Sequence, residues 1–351
     1  MSSIIASNGR TRVARRGLVA VATAAAAALG TGVLAGPASA DPAAQPDASA
    51  NYTFQTVDNP QDLTFNQLLG INNVNVIAGY FGSGKPGHPN KGYVIGSWQG
   101  NNLSNGRINL GAMHRSHRGH QASGAFQPEN FPGSAQTQVT GLNNSGTTVG
   151  FGVDTAGDNF GFYSMDGRFH KADYPTNAPA KPSMDQLLGV NDHQVAVGFY
   201  TDSQGMNHGY TYNIRTHRYG QVHVWGDSNV TAAAVNNLGD IAGFATGAAG
   251  QTEGFLRTPT GRTWHLDFPG AASTQALGVN DGDEVVGTYT TGTAQNPMNF
   301  GFVWSPGLGF QTVNDPNGVG STTVNGVNDR GTIVGFYTDA QNNTDGFVGR
   351  P

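Results

Sequence analysis

Apolar and polar positions alternate in short runs along most of the chain, and Gly, Asn, Asp or Pro breaks each run. A period of two marks half-buried strands. One unit recurs six times: Gly or Ala, an aliphatic residue, Asn, Asn or Asp, then a β run closing on Gly. The copies are GINNVNVIAGY (70–80), GLNNSGTTVGF (141–151), GVNDHQVAVGF (189–199), AVNNLGDIAGF (234–244), GVNDGDEVVGT (278–288) and GVNDRGTIVGF (326–336). The lead Asn is residue 72, 143, 191, 236, 280 and 328, and a Gly follows seven places later in every copy. The Asn side chain can cap its own turn, and a following Gly suits the left-handed position of a bulged hairpin. Two turns lose that Gly, at Asp192-His193-Gln194 and at Asp281-Gly282-Asp283-Glu284.

Two further strands flank each copy. Downstream stands a Gly-aromatic pair, as in Gly161-Phe162 and Gly301-Phe302. Upstream stands an aromatic-led strand closing on Pro, as in FQTVDNP (54–60), FHKADYP (169–175) and FQTVNDP (310–316). Four short antiparallel strands in about 45 residues is the signature of a propeller blade. The expectation is an all-β protein, a six-bladed β-propeller of four-stranded blades over 53–351. A β-solenoid or another β-repeat array is the alternative.

The units resemble the HAF family of extracellular repeats, through a Gly-aromatic strand such as GFVW (301–304) and the Gly-Ile-Asn-x-x-Gly-x-Val-Val-Gly core. The resemblance spans nearly all of 54–348. It implies a secreted β-repeat protein and carries no catalytic residue.

Composition agrees. Gly makes up 52 of 351 residues and charged residues only 12%, which disfavours helical bundles. The absence of cysteine removes thiol chemistry, disulfides and Cys-ligated metals.

Residues 1–40 read as a signal peptide. Arg10, Arg12, Arg15 and Arg16 precede an apolar stretch from Leu18 to about Val33, and Ala38-Ser39-Ala40 gives a cleavage pattern. Arg15-Arg16 resembles a twin-arginine export signal; an ordinary signal with incidental paired arginines is the alternative. Cleavage after Ala40 would take four of the 18 basic residues and no acid, leaving a net charge of −9. Such a surface disfavours nucleic acid and anionic membranes. Residues 41–52 read as a flexible lead-in. The expectation is a secreted monomer.

Candidate chemistry lies where the repeats break their own rule. An insertion at about 100–124 carries His114, His117 and His120, which could bind a divalent metal; a partner contact and a solvated loop are the alternatives. Asp281, Asp283 and Glu284 could bind Ca²⁺, against ordinary turn drift. His170, His223 and His265 recur near the aromatic-led strand, and a polar ring around the channel would make a ligand site. His193, Glu284, Trp225 and Trp264 join them as ligand-binding candidates, the tryptophans as stacking platforms or blade packing. For an acid–base pair the candidates are His193, His265, Glu284, Asp267 and Tyr289. Residues 79–86 nearly match a phosphate loop, but Pro86 stands where Ser or Thr must follow the Lys. No cofactor is implied. The sequence favours a binding or scaffold protein for extracellular glycan or cell-wall polymer; the alternative is a hydrolase or lyase acting on a polysaccharide at a channel mouth.

Overall fold

The computed structural model describes residues 47–96, 126–175, 184–224, 226–293 and 296–351. They form six four-stranded antiparallel sheets, the six blades of a β-propeller. Blades one to five span 66–128, 136–171, 184–221, 228–266 and 273–313, each running from its inner to its outer strand. Blade six takes three strands from 322–350 and its outer strand, Thr53–Thr56, from the start of the described chain. Thr56 pairs with Phe347 there, and Val57 N–H donates to Gly346 O. The start and the end of the described chain therefore share one sheet, and the two matching FQTV segments lie on equivalent outer strands, of blades six and five.

The lead-in departs from expectation. Its described part, from Asp47, is packed. Ala48 is buried in the core of blades five and six, its N–H donates to Thr312 O, and Asn314 N–H donates to Ser49 Oγ. Residues 1–46 and the histidine insertion lie outside the described residues.

Two of the sequence signals are one packing unit. The inner strand bulges in all six blades at one shared place, for instance between Leu68 and Gly70. A Cβ on Gly287, in the facing strand, would meet Gln275 O at 1.9 Å and the Phe302 ring at 2.8 Å. Gly150, with Gln138 O at 2.0 Å and the Phe162 ring at 3.0 Å, repeats this. The Gly seven residues after the lead Asn is thus the floor on which the downstream aromatic lies. Those rings (Phe162, Phe255, Phe302 and Phe347 among them) are fully buried and form much of the inter-blade core.

Strand alternation gives the propeller two faces. Hairpins joining inner to second strands lie on one, here the ring face. Hairpins joining second to third strands, and the linkers between blades, lie on the other, the linker face.

Candidate functional site

On the ring face, every lead Asn builds its own hairpin. Its Oδ1 accepts the N–H four residues on in all six copies, at 2.8 to 3.1 Å. Its Nδ2 reaches the carbonyl of the next blade's lead Asn. The six bonds, from Asn72 to Asn143 and round to Asn328 and back, close a ring at 2.9 to 3.2 Å. The following residue closes a second ring. Each N–H of Asn73, Asn144, Asp192, Asn237, Asp281 and Asp329 donates to the side-chain Oδ1 of the next, at 2.7 to 2.9 Å. The three asparagines also donate Nδ2 to the three aspartates, Asn73 to Asp329, Asn144 to Asp192 and Asn237 to Asp281. Amide and carboxylate numbers match, so the mouth is satisfied internally.

The left-handed position falls three residues after each lead Asn. Three turns, one more than the sequence suggested, fill it without glycine: Asn75 (φ 62°), Gln194 (φ 63°) and Asp283 (φ 58°). In the fifth copy Gly282 is therefore not the left-handed residue. Gln194 is held by Thr147 Oγ1 at 2.9 Å and by Ser145 Oγ at 3.0 Å, both on the neighbouring turn.

Behind the rings the channel is lined by Leu69, Leu188 and Leu277, which alternate with Thr140, Ala233 and Asn325. The two cavities along it hold about 70 and 90 Å³, whereas small-molecule sites run to roughly 300–1,000 Å³.

The histidine ring is not there. His170, opposite Tyr163, and His265, opposite Phe255, lie on outermost strands at different registers. His223 follows the strand end. Aligning the repeats by their leading aromatic brought the three together; cross-strand partners separate them. His170 stacks on Tyr163 at 4.8 Å. Trp264 lies under the Arg262 guanidinium at 4.2 Å and against the core of blades four and five. Trp225, His114, His117 and His120 lie outside the described residues.

The acid–base candidates divide between faces. His193 is exposed and Glu284 half-buried, both in ring-face hairpins; His265 and Asp267 belong to the linker face. Tyr289 is buried, stacked on Phe268 at 3.6 Å. The proposed Ca²⁺ residues also diverge. Asp281 belongs to the second ring, burial and then Asp240 raise Asp283, and Glu284 accepts from Asn280 Nδ2. Among the described residues no three His, Cys, Asp or Glu side chains could share a metal ion.

The linker face is where the blades differ. At the place just before the Gly-aromatic pair stand Lys91, Phe160, His208, Glu253, Phe300 and Asp345, one per blade. In blade three, half-buried rings form a stack: Tyr174 on Tyr200 at 4.5 Å and Tyr200 on His208 at 4.9 Å. Asp202 Oδ2 holds His208 Nε2 at 2.8 Å. Beneath it, Tyr210 Oη donates to Asp185 Oδ1 at 2.6 Å, and burial raises that carboxyl to about 7. In blade four, His265 Nδ1 lies 3.6 Å from both Asp227 Oδ2 and Glu253 Oε2. Sequence reasoning missed the blade-three stack, although the density of tyrosine between 174 and 219 was a visible signal.

No family model matches the chain, and no curated protein matches it. Among solved structures it is similar to TolB from Acinetobacter baumannii, at 11% identity and a TM-score of 0.47, over 72% of this chain and 55% of that one. The chain thus spans about half the length of TolB. It is similar to a streptogramin B lyase at 10% identity and a TM-score of 0.44, over 86% of this chain and 99% of that one. It is similar to an AofleA variant from Arthrobotrys oligospora at 11% identity and a TM-score of 0.40, over 86% and 90%. The chain is a six-bladed β-propeller.

Proposed function

We propose that the chain is an extracellular binding module whose linker face recognises a glycan or cell-wall polymer. One observation carries the reading. Six repeats keep one solution on the ring face, whereas the matching place on the linker face carries five kinds of side chain, with phenylalanine twice. A position serving closure must stay the same around the ring, whereas a recognition surface need not. The half-buried Tyr174–Tyr200–His208 stack offers ring faces of the kind sugars lie on, with Asp202 beside it for hydroxyls. The arginine-led leader supports export. A panel of polysaccharides and purified cell wall tests the reading. The chain is expected to be retained on at least one, and Tyr200→Ala to abolish retention with folding intact. Failure to bind any of them sinks it.

A second reading, hydrolysis or elimination on a polysaccharide, draws on His265. Its Nδ1 faces Asp227 and Glu253, an arrangement that orients an imidazole for proton transfer. Release of reducing or unsaturated ends that disappears with His265→Ala would favour it.

A further inference from the structure

Blades two, three and five build one triangle of rings. Its corners are the aromatic of the entering linker, the aromatic of the Gly-aromatic pair and the aromatic of the outer strand. In blade two they are Phe131, Phe162 and Phe169, with centroids 5.7 to 5.8 Å apart. In blade five they are Phe268, Phe302 and Phe310, at 5.1 to 6.5 Å. In blade three all three are tyrosines, Tyr174, Tyr210 and Tyr219, at 5.1 to 5.7 Å. A second exchange accompanies the first. The linker aromatic donates its N–H to a side chain at the start of the inner strand, Thr137 in blade two and Thr274 in blade five. In blade three that acceptor is Asp185.

The two exchanges meet in one hydrogen bond. Tyr210 Oη donates to Asp185 Oδ1 at 2.6 Å, with Tyr210 0% exposed and Asp185 2%. Packing asks for neither group, since phenyl rings and a threonine fill the same places twice elsewhere. Burying a phenol and a carboxyl is costly, and a departure from the chain's own rule marks a candidate for function. The triangle also continues outward. Tyr174 stacks on Tyr200 at 4.5 Å, and Tyr200 on the half-buried His208 at 4.9 Å. On the other side Tyr219 lies 4.5 Å from Tyr212, and Tyr212 6.1 Å from Tyr163. Tyr212 Oη is hydrogen-bonded at 2.8 Å to Nδ1 of the exposed His217. Six of the chain's 11 tyrosines thus form one run of neighbouring rings.

We propose that Tyr210 and Asp185 are a redox-active phenol–carboxylate pair, which stores a one-electron oxidising equivalent delivered through the tyrosine run of blade three. A phenol that loses an electron becomes a strong acid, so a base must already be in place to take its proton. The oxidant is a one-electron acceptor, of the class of a small phenol's phenoxyl radical, meeting the run at its exposed end. It gains one electron and becomes a phenolate, which takes a proton from water. Tyr210 loses that electron, and its Oη proton passes to Asp185 Oδ1. A neutral tyrosyl radical and a carboxylic acid remain. Return of one electron to Tyr210, and of the proton from Asp185, restores the pair. No cysteine competes for the radical.

Flash oxidation of the full chain by a ruthenium(III) tris-bipyridine complex, followed by transient absorption and electron paramagnetic resonance, tests this. The parent chain is expected to give a tyrosyl radical that outlives that of a free tyrosine amide, and Tyr210→Phe to remove the long-lived signal. Asp185→Thr, which supplies the residue of blades two and five, is expected to slow the oxidation of Tyr210 roughly a hundredfold. Burial raises Asp185 to about 7, and Asp173, Tyr200, Tyr210 and Tyr219 are the titratable groups around it. The parent rate should therefore climb as pH rises through about 7, where the carboxylate becomes free to accept a proton, and should lose that dependence in Asp185→Thr. The double variant, Tyr210→Phe with Asp185→Thr, repeats the arrangement of blade two; it should fold, as circular dichroism checks, and give no long-lived radical. A long-lived radical unchanged by Tyr210→Phe overturns the inference, as does a parent radical no longer-lived than that of free tyrosine amide. An unchanged rate and pH dependence in Asp185→Thr overturns the pairing with the carboxylate.

Discussion

The two faces of the propeller use the same six repeats differently. On the ring face, Asn72, Asn143, Asn191, Asn236, Asn280 and Asn328 make the same bonds six times. On the linker face, the matching residues are a lysine, two phenylalanines, a histidine, a glutamate and an aspartate. The ring face holds every blade to its neighbour, so a change there is felt around the whole ring. The linker face is freed from that duty, and there the chain departs from its own pattern.

The largest expected effect lies between the faces, in the packing both depend on. Gly287→Ala would drive a methyl into Gln275 O and the Phe302 ring. Neither backbone nor a buried ring yields readily, so the substitution is expected to cost more than about 4 kcal/mol and to deplete folded protein. Chemical denaturation measures it.

Next comes the ring itself. Asn280→Ala removes an Oδ1 acceptor for two backbone N–H groups and an Nδ2 donor to Asn328 O and Glu284 Oε2. The loss is expected to be about 2–4 kcal/mol, since buried partners are left unpaired. A loss as small as that of an exposed substitution would break the comparison of the faces.

The linker face makes the opposite prediction through pH. Asp58 and Asp185 are raised to about 7 and Asp345 to about 6, each from an ordinary value near 3.8. Between those limits the native state binds more protons than the unfolded chain, so stability is expected to fall as pH rises from about 4 to 7. Melting temperatures over that range check the sign, and Asp58→Asn with Asp345→Asn should flatten the slope. A melting temperature that climbs steadily through the range would contradict the burial assigned to these carboxyls.

Six-fold order was legible because strand periods and turn residues are local. The lead Asn, the Gly seven places on and the Gly-aromatic pair each mark one hairpin. What joins them across blades was not legible. Asn72 and Asn143 touch, yet 71 residues separate them, and nothing in a single unit says that its Asn donates sideways. Nor could the chain show that Leu69, Leu188 and Leu277 line the channel, since the side of the strand they take beside the bulge depends on strand register. The histidines were misgrouped for a related reason. Trp264 sits one register later than Phe169, so counting from the aromatic shifts His265 against His170.

The smallest stability effect and the largest functional one should come from the same residue. Tyr200→Ala is expected to leave the fold nearly as stable as before, because the ring is half-buried at a blade's edge. Its neighbour in blade three, Asn191→Ala, is expected to melt early. The most direct test of the division between faces is therefore a single paired measurement on these two variants, melting temperature together with retention on the polysaccharide panel. Folded Asn191→Ala protein, assayed below its lowered melting point, should bind like the parent chain, and Tyr200→Ala should melt like the parent and not bind. If Tyr200→Ala binds unchanged and Asn191→Ala does not, recognition belongs to the ring face and the assignment of the two faces is reversed.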